Sequence, residues 1–197
     1  MINYLKEVNS DDIYDLGILF AFHNTLRIGE IKALKWSDFD FSNGVFYVDK
    51  QIIEEREMND DLTFSKRTQK ETNHIKGGTD KGIRALPLSQ SSIDILEKIK
   101  KLYPNPDSEY VFARDIGSLT TITFNRHLEK HCKAIGIFRK SSHDIRFSSA
   151  STLYDSTKDM TDVQHACGHT TLTMAQHYVK QIKSMDDQKK NYIDALG

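Results

Sequence analysis

Apolar side chains in this chain recur mainly at helical spacing, and this periodicity constrains the fold more than any other feature. Residues 11–23, DDIYDLGILFAFH, place apolar residues at that spacing behind an Asp-rich start that suits a helix N-cap. A second helix is predicted to open within LRIGEIKAL (26–34). From residue 91 onward the pattern predicts helices over 91–102, 120–135, 143–154, 159–167, 171–180 and 185–195.

Strand signals are confined to the first half of the chain. Residues 41–53, FSNGVFYVDKQII, alternate around an Asn-Gly step, which predicts a hairpin or its first strands. The charged residues 54–71 predict either an extended loop or a long hairpin. Residues 73–78 and 82–89 predict two short strands joined by a Gly-containing turn. The predicted fold class is mainly α with a small antiparallel β-sheet, an α+β fold.

Length and composition favour one soluble domain, with room for a short tail. The chain has 197 residues, of which 38% are hydrophobic and 28% are charged. We predict a cytoplasmic protein, because no apolar run approaches the ~20 residues of a membrane span and the start lacks a signal-peptide layout. Cys132 and Cys167 stand far apart, which suits a reducing compartment. The net charge of −1 argues against a strong nucleic-acid binder unless one face is basic.

Four separated stretches carry side chains that suit one chemistry. They are NTLRIGEIKALKW (24–36), HIKGGTDKGIRALPL (74–88), SSHDIRFSSA (141–150) and CGHTTLTMAQHYVK (167–180). Each has an ordinary structural explanation when it is taken alone: Arg27 could cap a helix, His169 could fill a turn, and Tyr178 could pack in the core. Their combination is what requires a functional explanation.

Phosphoryl transfer would use all of these groups together. Arg27 and Arg146 could clamp phosphate oxygens with two-pronged guanidinium groups, and a lysine could protonate the departing alkoxide. The hydroxyl of Tyr178 could act as nucleophile once nearby cations favour its oxyanion. His143 lies three residues before Arg146, so a helix would place both on one face. With His169, it could accept or orient a proton.

These motifs resemble those of the tyrosine recombinases, the family of phage and transposon integrases and Xer-type resolvases. LRIGE is similar to the first arginine box, HDIR to the His-x-x-Arg box, and GH with a tyrosine nine residues later to the final box. The resemblance covers nearly the whole chain and implies the catalytic-domain fold of that family. It implies that the catalytic residues are Arg27, Lys76, His143, Arg146, His169 and Tyr178.

The lysine is the least constrained member of this set. In the family it lies on a hairpin strand ahead of an R-x-x-P-L stretch, which is RALPL (84–88) here. Lys76 is favoured because it stands at a predicted strand end, but Lys81 competes because the intervening turn is long. Glu30, one helical turn after Arg27, is expected to orient a basic residue rather than to react.

The resemblance also implies a reaction and partners. The chain would cleave and rejoin DNA strands through a 3′-phosphotyrosine intermediate, to integrate or excise a mobile element, without cofactor or metal. Double-stranded DNA at recombination sites would be its partner, and copies would assemble into a synaptic tetramer there, with accessory DNA-bending proteins possible. The protein would be associated with the bacterial nucleoid and not with a membrane.

Two units are predicted within the chain. Residues 1–182 would form the catalytic domain, and residues 183–197 an amphipathic tail helix exchanged between protomers. Family members carry a DNA-binding domain ahead of the catalytic one, so this chain would be either an excised catalytic fragment, which we favour, or a shortened protein with weak DNA binding of its own. Much of the basic surface would then lie on the other domain, which answers the objection from net charge.

Three other functions can be weighed: a metal-binding protein, a type IB topoisomerase, and a binding-only domain that lost catalysis, against which the full set of catalytic residue types argues. The histidine pairs His127/His131 and His165/His169 have the i, i+4 spacing that binds zinc on a helix, but neither pair has the glutamate that a zinc hydrolase needs after its first histidine. A type IB topoisomerase uses a similar tyrosine and arginine set. The amphipathic tail favours the recombinase over the topoisomerase.

Overall fold

The computed structural model describes residues 1–73, 83–104, 108–114, 117–169 and 171–176. The first helices in these ranges are α1 (Ile2–Val8), α2 (Ile13–His23) and α3 (Ile28–Ala33). After the strands come α4 (Gln90–Leu102), α5 (Thr121–Ala134), α6 (Ser142–Thr157) and α7 (Met160–Cys167). Residues 172–176 are also helical.

The described strands form three small antiparallel sheets rather than the one that the sequence predicts. Strands β1 (Phe39–Asp40), β2 (Val45–Val48) and β5 (Arg84–Pro87) make a sheet in the order β1-β2-β5. The other two pairs are β3 (Gln51–Glu55) with β4 (Thr68–Thr72), and β6 (Ala113–Arg114) with β7 (Gly117–Ser118). The prediction of a mainly α chain with small antiparallel β-structure is confirmed.

The hairpin predictions are resolved by the pairing. The Asn-Gly step lies between β1 and β2, where Gly44 adopts a positive φ of 65°. Residues 54–71 belong to a long hairpin, because β3 pairs with β4 from Gln51↔Thr72 to Glu55↔Thr68 and residues 56–67 form the loop that connects the two strands. Strand β5 pairs with β2, and its predicted partner, residues 73–78, falls almost wholly outside the described residues.

The predicted helices are confirmed within a few residues where the structure describes them. The described part of 171–180 is helical over 172–176, and 185–195 lies outside the described residues. Helix α1 is the exception, since the sequence did not predict it. Among its residues only Leu5 is buried, and its N-terminus has no side-chain cap, so the helix depends on packing of Met1, Tyr4 and Leu5 against the core.

Helix α2 is the centre of the molecule. Nine of its eleven residues are buried, because helices α1, α4, α5 and α6 pack around it. Asp12 caps the helix by accepting from the Tyr14 N–H at 2.8 Å. Its C-terminus leads directly into Thr25, Leu26 and Arg27, so the core holds the arginine segment in place. No helix in the described ranges is long and apolar enough to cross a membrane.

Candidate active site

Arg27 stands at the N-terminus of α3, where an extended stretch turns into the helix. The Glu30 carboxylate folds back over this end, and its Oε2 accepts from the Arg27 backbone N–H at 2.7 Å. Its Oε1 accepts from Arg27 Nη1 at 3.1 Å, and the same nitrogen lies 3.4 Å from the Cys167 carbonyl oxygen. Both backbone and side chain of Arg27 are thus anchored, while about a quarter of the side chain (24%) remains exposed.

Glu30 is itself fully buried and binds a second arginine. Arg84, the first residue of β5, donates from Nη1 to Oε1 at 3.2 Å and from Nη2 to Oε2 at 3.0 Å. Arg146 Nη1 lies 3.6 Å from Oε2. Burial alone would raise the pKa of Glu30, but the charges of Arg84 and Arg146 outweigh burial and lower that pKa. The carboxylate is therefore ionised.

Arg146 extends from α6 into the same buried cluster, and its side chain is only 2% exposed. Its Nη1 donates to the Thr25 carbonyl at 2.6 Å and its Nη2 donates to the Cys167 carbonyl at 2.5 Å. Its Nε has no hydrogen-bond partner within the described part of the chain. One donor of the guanidinium is therefore available to a ligand.

The guanidinium groups converge on the C-terminus of α7. This helix ends at Gly168, which has a left-handed φ of 58°. The Ala166 carbonyl accepts from Arg84 Nε at 3.0 Å, and the Cys167 carbonyl accepts from Arg146. The last carbonyls of a helix lack intrahelical partners and carry the negative end of its dipole, so they stabilise cations.

His169 follows that turn and is buried beside Arg146. Burial and the positive charges of Arg146 and Arg27 lower the pKa of His169 to about 4. Arg146 Nη2 lies 3.4 Å from His169 Nε2. A guanidinium can only donate, so Nε2 is the acceptor and the neutral ring carries its proton on Nδ1.

The cluster carries more positive than negative charge. Three guanidinium groups meet the single carboxylate of Glu30, which leaves two positive charges that face carbonyl oxygens and the neutral His169 ring among the described residues. Planar guanidinium groups bind phosphate oxygens in pairs. The arrangement can therefore bind a phosphate group at the partly exposed edge, where Arg27 lies.

Comparison with known proteins agrees with this chemistry. The family model described as "Phage integrase family" matches residues 1–185. The chain belongs to the phage integrase family. A XerC-like tyrosine recombinase from Caldanaerobacter subterraneus subsp. tengcongensis is 26% identical, over 91% of this chain and 48% of that protein. This family member thus spans about half the length of that curated relative.

Solved structures of recombinases share the fold of this integrase-family chain. The Tn1549 transposon integrase, solved as a variant in complex with transposon right-end DNA, superposes with a TM-score of 0.68. Its identity is 19%, over 89% of this chain and 58% of that one. XerA recombinase gives a TM-score of 0.67 at 20% identity, over 95% of this chain and 61% of that one. The prediction of a tyrosine recombinase catalytic-domain fold is confirmed.

The structure brings together some of the residues that the family motifs predict. Arg27, Arg146 and His169 form one buried cluster around Glu30, whose contact with Arg27 agrees with the predicted orienting role. His143 is exposed on the first turn of α6, one helical turn before the buried Arg146. It lines a groove whose other lining residues do not include the arginine cluster, and its catalytic role stays a prediction.

Three further predicted residues lie outside the described residues: Lys76, its competitor Lys81, and Tyr178. The segments beside them belong to the site or lead towards it. Strand β5 follows the lysine segment and begins with Arg84, and the helical residues 172–176 follow His169 and precede Tyr178. The roles of these three residues stay predictions.

Arg84 is a residue of the site that sequence reasoning missed. RALPL served only to locate the lysine segment, although the side chain of its arginine is 2% exposed and donates to Glu30 and to the Ala166 carbonyl among the described residues. A usable signal was present: Arg84 stands two residues before Leu86, so the alternation of a strand places both on the buried face, where an arginine requires an acidic partner.

In the two i, i+4 pairs, His127, His131 and His169 contact other side chains of the protein. His127 Nδ1 and His131 Nε2 both bond to Asp15 Oδ1, at 2.9 and 2.8 Å. His165 is exposed, whereas His169 belongs to the arginine cluster. Family membership favours neither a metal-binding protein nor a topoisomerase.

Proposed function

We propose that this chain is the catalytic part of a site-specific DNA recombinase that cleaves and rejoins DNA strands. The observation that carries the proposal is the surplus of positive charge around Glu30, beside a neutral buried histidine. Such a cluster suits a phosphodiester, which brings one negative charge and two non-bridging oxygens. The likeness to a transposon integrase solved with DNA supports the same substrate.

In the proposed reaction Arg27 and Arg146 hold the non-bridging oxygens of the scissile phosphate. The Tyr178 oxygen attacks phosphorus, the bond from phosphorus to the 5′-oxygen breaks, and a 3′-phosphotyrosine forms. A histidine takes the tyrosine proton and Lys76 gives a proton to the leaving 5′-oxygen. Rejoining is the reverse attack by a 5′-hydroxyl, so the bond energy is conserved in the covalent intermediate.

Binding of substrate should change the pKa of His169. Its pKa is about 4 in the cluster because it is buried among positive charges. The negative charge of a bound phosphodiester would oppose those charges and raise the pKa, so DNA binding would make the imidazole a better proton acceptor. His143 would assist from the first turn of α6.

A suicide substrate tests the nucleophile. The 197-residue chain would be incubated in EDTA with a pool of labelled nicked duplexes of randomised central sequence, from which the cleaved fragment diffuses away. We expect a covalent protein–DNA adduct for the wild type, none for Tyr178→Phe, and wild-type yield for Tyr47→Phe, a control on the exposed face of β2. An adduct in Tyr178→Phe would assign the nucleophile elsewhere, and no adduct from wild type would overturn the function.

We also propose that residues 183–197 form a separate tail unit that docks on a neighbouring copy when a tetramer assembles on DNA. If the tail is helical, as its sequence predicts, Tyr192, Ile193 and Leu196 would share a face with Met185 two turns earlier, and an amphipathic helix buries such a face against a partner. Deleting the residues after Lys183 should weaken pairing of two sites more than binding to one. Unchanged pairing of sites would contradict the exchange of the tail.

A further inference from the structure

The remaining arginine of the cluster differs from the two that are proposed to hold phosphate. We infer that Arg84 is a positioning residue, which keeps the Glu30 carboxylate from capturing Arg146 and fixes the turn that carries His169. The inference rests on the proposed function, because it assigns Arg84 a role in presenting the phosphate-binding groups of that site.

The hydrogen bonds of Arg84 are directed at protein groups. Its Nη1 and Nη2 bind the two oxygens of Glu30 at 3.2 and 3.0 Å, and its Nε binds the Ala166 carbonyl at 3.0 Å. All three nitrogens are thus engaged, and the side chain is 2% exposed. Arg27 is 24% exposed and Arg146 has a free Nε within the described residues. Arg84 supports the site, whereas the other two can face a ligand.

Arg84 occupies both oxygens of Glu30 and so limits what else Glu30 binds. With Arg84 in place, Arg146 Nη1 stays 3.6 Å from Glu30 Oε2, beyond hydrogen-bond length, and donates to the Thr25 carbonyl at 2.6 Å. A buried carboxylate that lost Arg84 would recruit the next cation. Arg146 is that cation, and pairing with Glu30 would draw its guanidinium away from a phosphate.

Arg84 also fixes the turn between α7 and His169. A Cβ atom at Gly168 would lie 2.8 Å from Arg84 Nη1, and the φ of 58° at Gly168 disfavours other residues as well. Glycine there lets the guanidinium approach the backbone and reach the Ala166 carbonyl. Because His169 is the next residue, the position of its ring depends on this contact.

The charge of Arg84 acts on His169 too. After burial, Arg146 and Arg27, it is a further cause of the lowered pKa of His169. Removing this charge should raise the pKa of His169 and shift the acid side of the cleavage–pH profile towards higher pH. A residue that served only to stabilise the fold would not shift that profile.

The test measures the rate of adduct formation on the nicked-duplex pool for Arg84→Met, Glu30→Gln and the double variant, each per folded protein by circular dichroism. We expect Arg84→Met to cleave about 10- to 100-fold more slowly, the range found when groups that orient metal ligands are removed. The double variant should cleave faster than Arg84→Met, because a neutral glutamine side chain in place of Glu30 no longer captures Arg146. Arg139→Met breaks an exposed pair with Glu129 and should match wild type.

The possible results contradict different parts of the inference. Wild-type rate and pH profile in Arg84→Met would overturn the positioning role while leaving the recombinase proposal intact. A double variant no faster per folded protein than Arg84→Met would overturn the competition for Glu30. If Arg84→Met does not fold, Arg84→Lys replaces it: the lysine keeps the charge but cannot span both oxygens, so cleavage should slow without a shift of the pH profile, and an unchanged rate would overturn the role. Absence of any wild-type adduct instead contradicts the proposed function.

Discussion

Asp15 and Glu30 are both buried carboxylates held between basic side chains, yet the two clusters differ in the charge that remains. Asp15 receives His127 and His131 on one oxygen, and these bonds join the central helix α2 to α5. Burial alone would raise the pKa of Asp15, but the hydrogen bonds from His131 and His127 outweigh burial and lower that pKa. Glu30 receives arginines from α3, β5 and α6.

The difference lies in what each basic group can do. An imidazole can stay neutral and still donate a hydrogen bond, so the cluster at Asp15 can satisfy its carboxylate without excess charge. A guanidinium keeps its charge at any physiological pH, so the cluster at Glu30 must remain positive. The first cluster braces the fold by joining α2 to α5, whereas the proposed function has an anion complete the second.

The largest difference between the two carboxylates is expected in the free energy of unfolding that is lost when each is neutralised. Glu30→Gln would leave buried guanidinium groups without a counter-charge, which costs about 3–5 kcal/mol when one partner of a buried ion pair is removed. Asp15→Asn keeps an oxygen that can accept from the imidazole N–H groups, so the loss in free energy of unfolding should be about 1 kcal/mol. Urea denaturation at pH 7.5 measures both, and equal losses would contradict the distinction between the clusters.

The next largest difference between the two clusters is expected in the rate of DNA cleavage. Arg146→Lys replaces a two-pronged donor by a point charge, so adduct formation should fall by ~10²-fold or more, as on loss of a preorganised donor in an active site. The matched change at the other cluster, His131→Gln, removes a bond to Asp15 and should leave cleavage per folded protein near the wild-type rate. Near-wild-type cleavage by Arg146→Lys would remove Arg146 from the phosphate clamp.

The fold was predictable where local signals are strong. Helix α2 is apolar on nearly every side and capped by Asp12, and α6 begins with Ser141 and Asp144 capping each other. The division into three sheets was not predictable, because β2 pairs with β5 across an intervening hairpin. Helix α1 was missed since its stability comes from contacts with the core rather than from its own sequence.

The site shows the same limit. Family motifs identified Arg27, Arg146 and His169, which the structure places together, but no local pattern indicated that Arg84 meets Glu30 across 54 residues. The i, i+4 spacing of the histidines likewise allowed the prediction of a metal site. Their actual partner, Asp15, lies more than 110 residues earlier in the chain. Spacing predicts which side chains share a face, whereas the group they meet depends on tertiary structure.

Acid should weaken the arginine cluster through His169. Its pKa is about 4 in the folded chain against an ordinary 6.5, so folding favours the neutral ring. The contribution of the neutral ring to the free energy of unfolding is present above pH 6.5. It is lost as the pH falls towards 4, because His169 takes up its proton at a higher pH in the unfolded chain than in the folded one. Between pH 6.5 and 5 the loss should be about 1–2 kcal/mol.

Urea denaturation across that pH range measures this loss. His169→Gln should flatten the dependence, and His23, whose pKa burial also lowers, should retain a part of it. An unchanged slope in His169→Gln would show that the ring is not held neutral by the cluster.

The smallest expected effect concerns the surplus charge itself. Inorganic phosphate should stabilise the wild type by occupying the site beside Arg27, and at a concentration equal to its dissociation constant the gain is only about 0.4 kcal/mol, or roughly 1 °C in Tm. Phosphate also strengthens apolar burial generally, so the informative quantity is a difference between variants. Arg27→Gln should lose the specific part of the shift, while His127→Gln, altered in the cluster that needs no anion, should keep it. Identical phosphate-induced Tm shifts in all three proteins at matched ionic strength would mean that the positive charge around Glu30 is already balanced within the fold. The contrast between the two carboxylates would then no longer indicate a phosphate site.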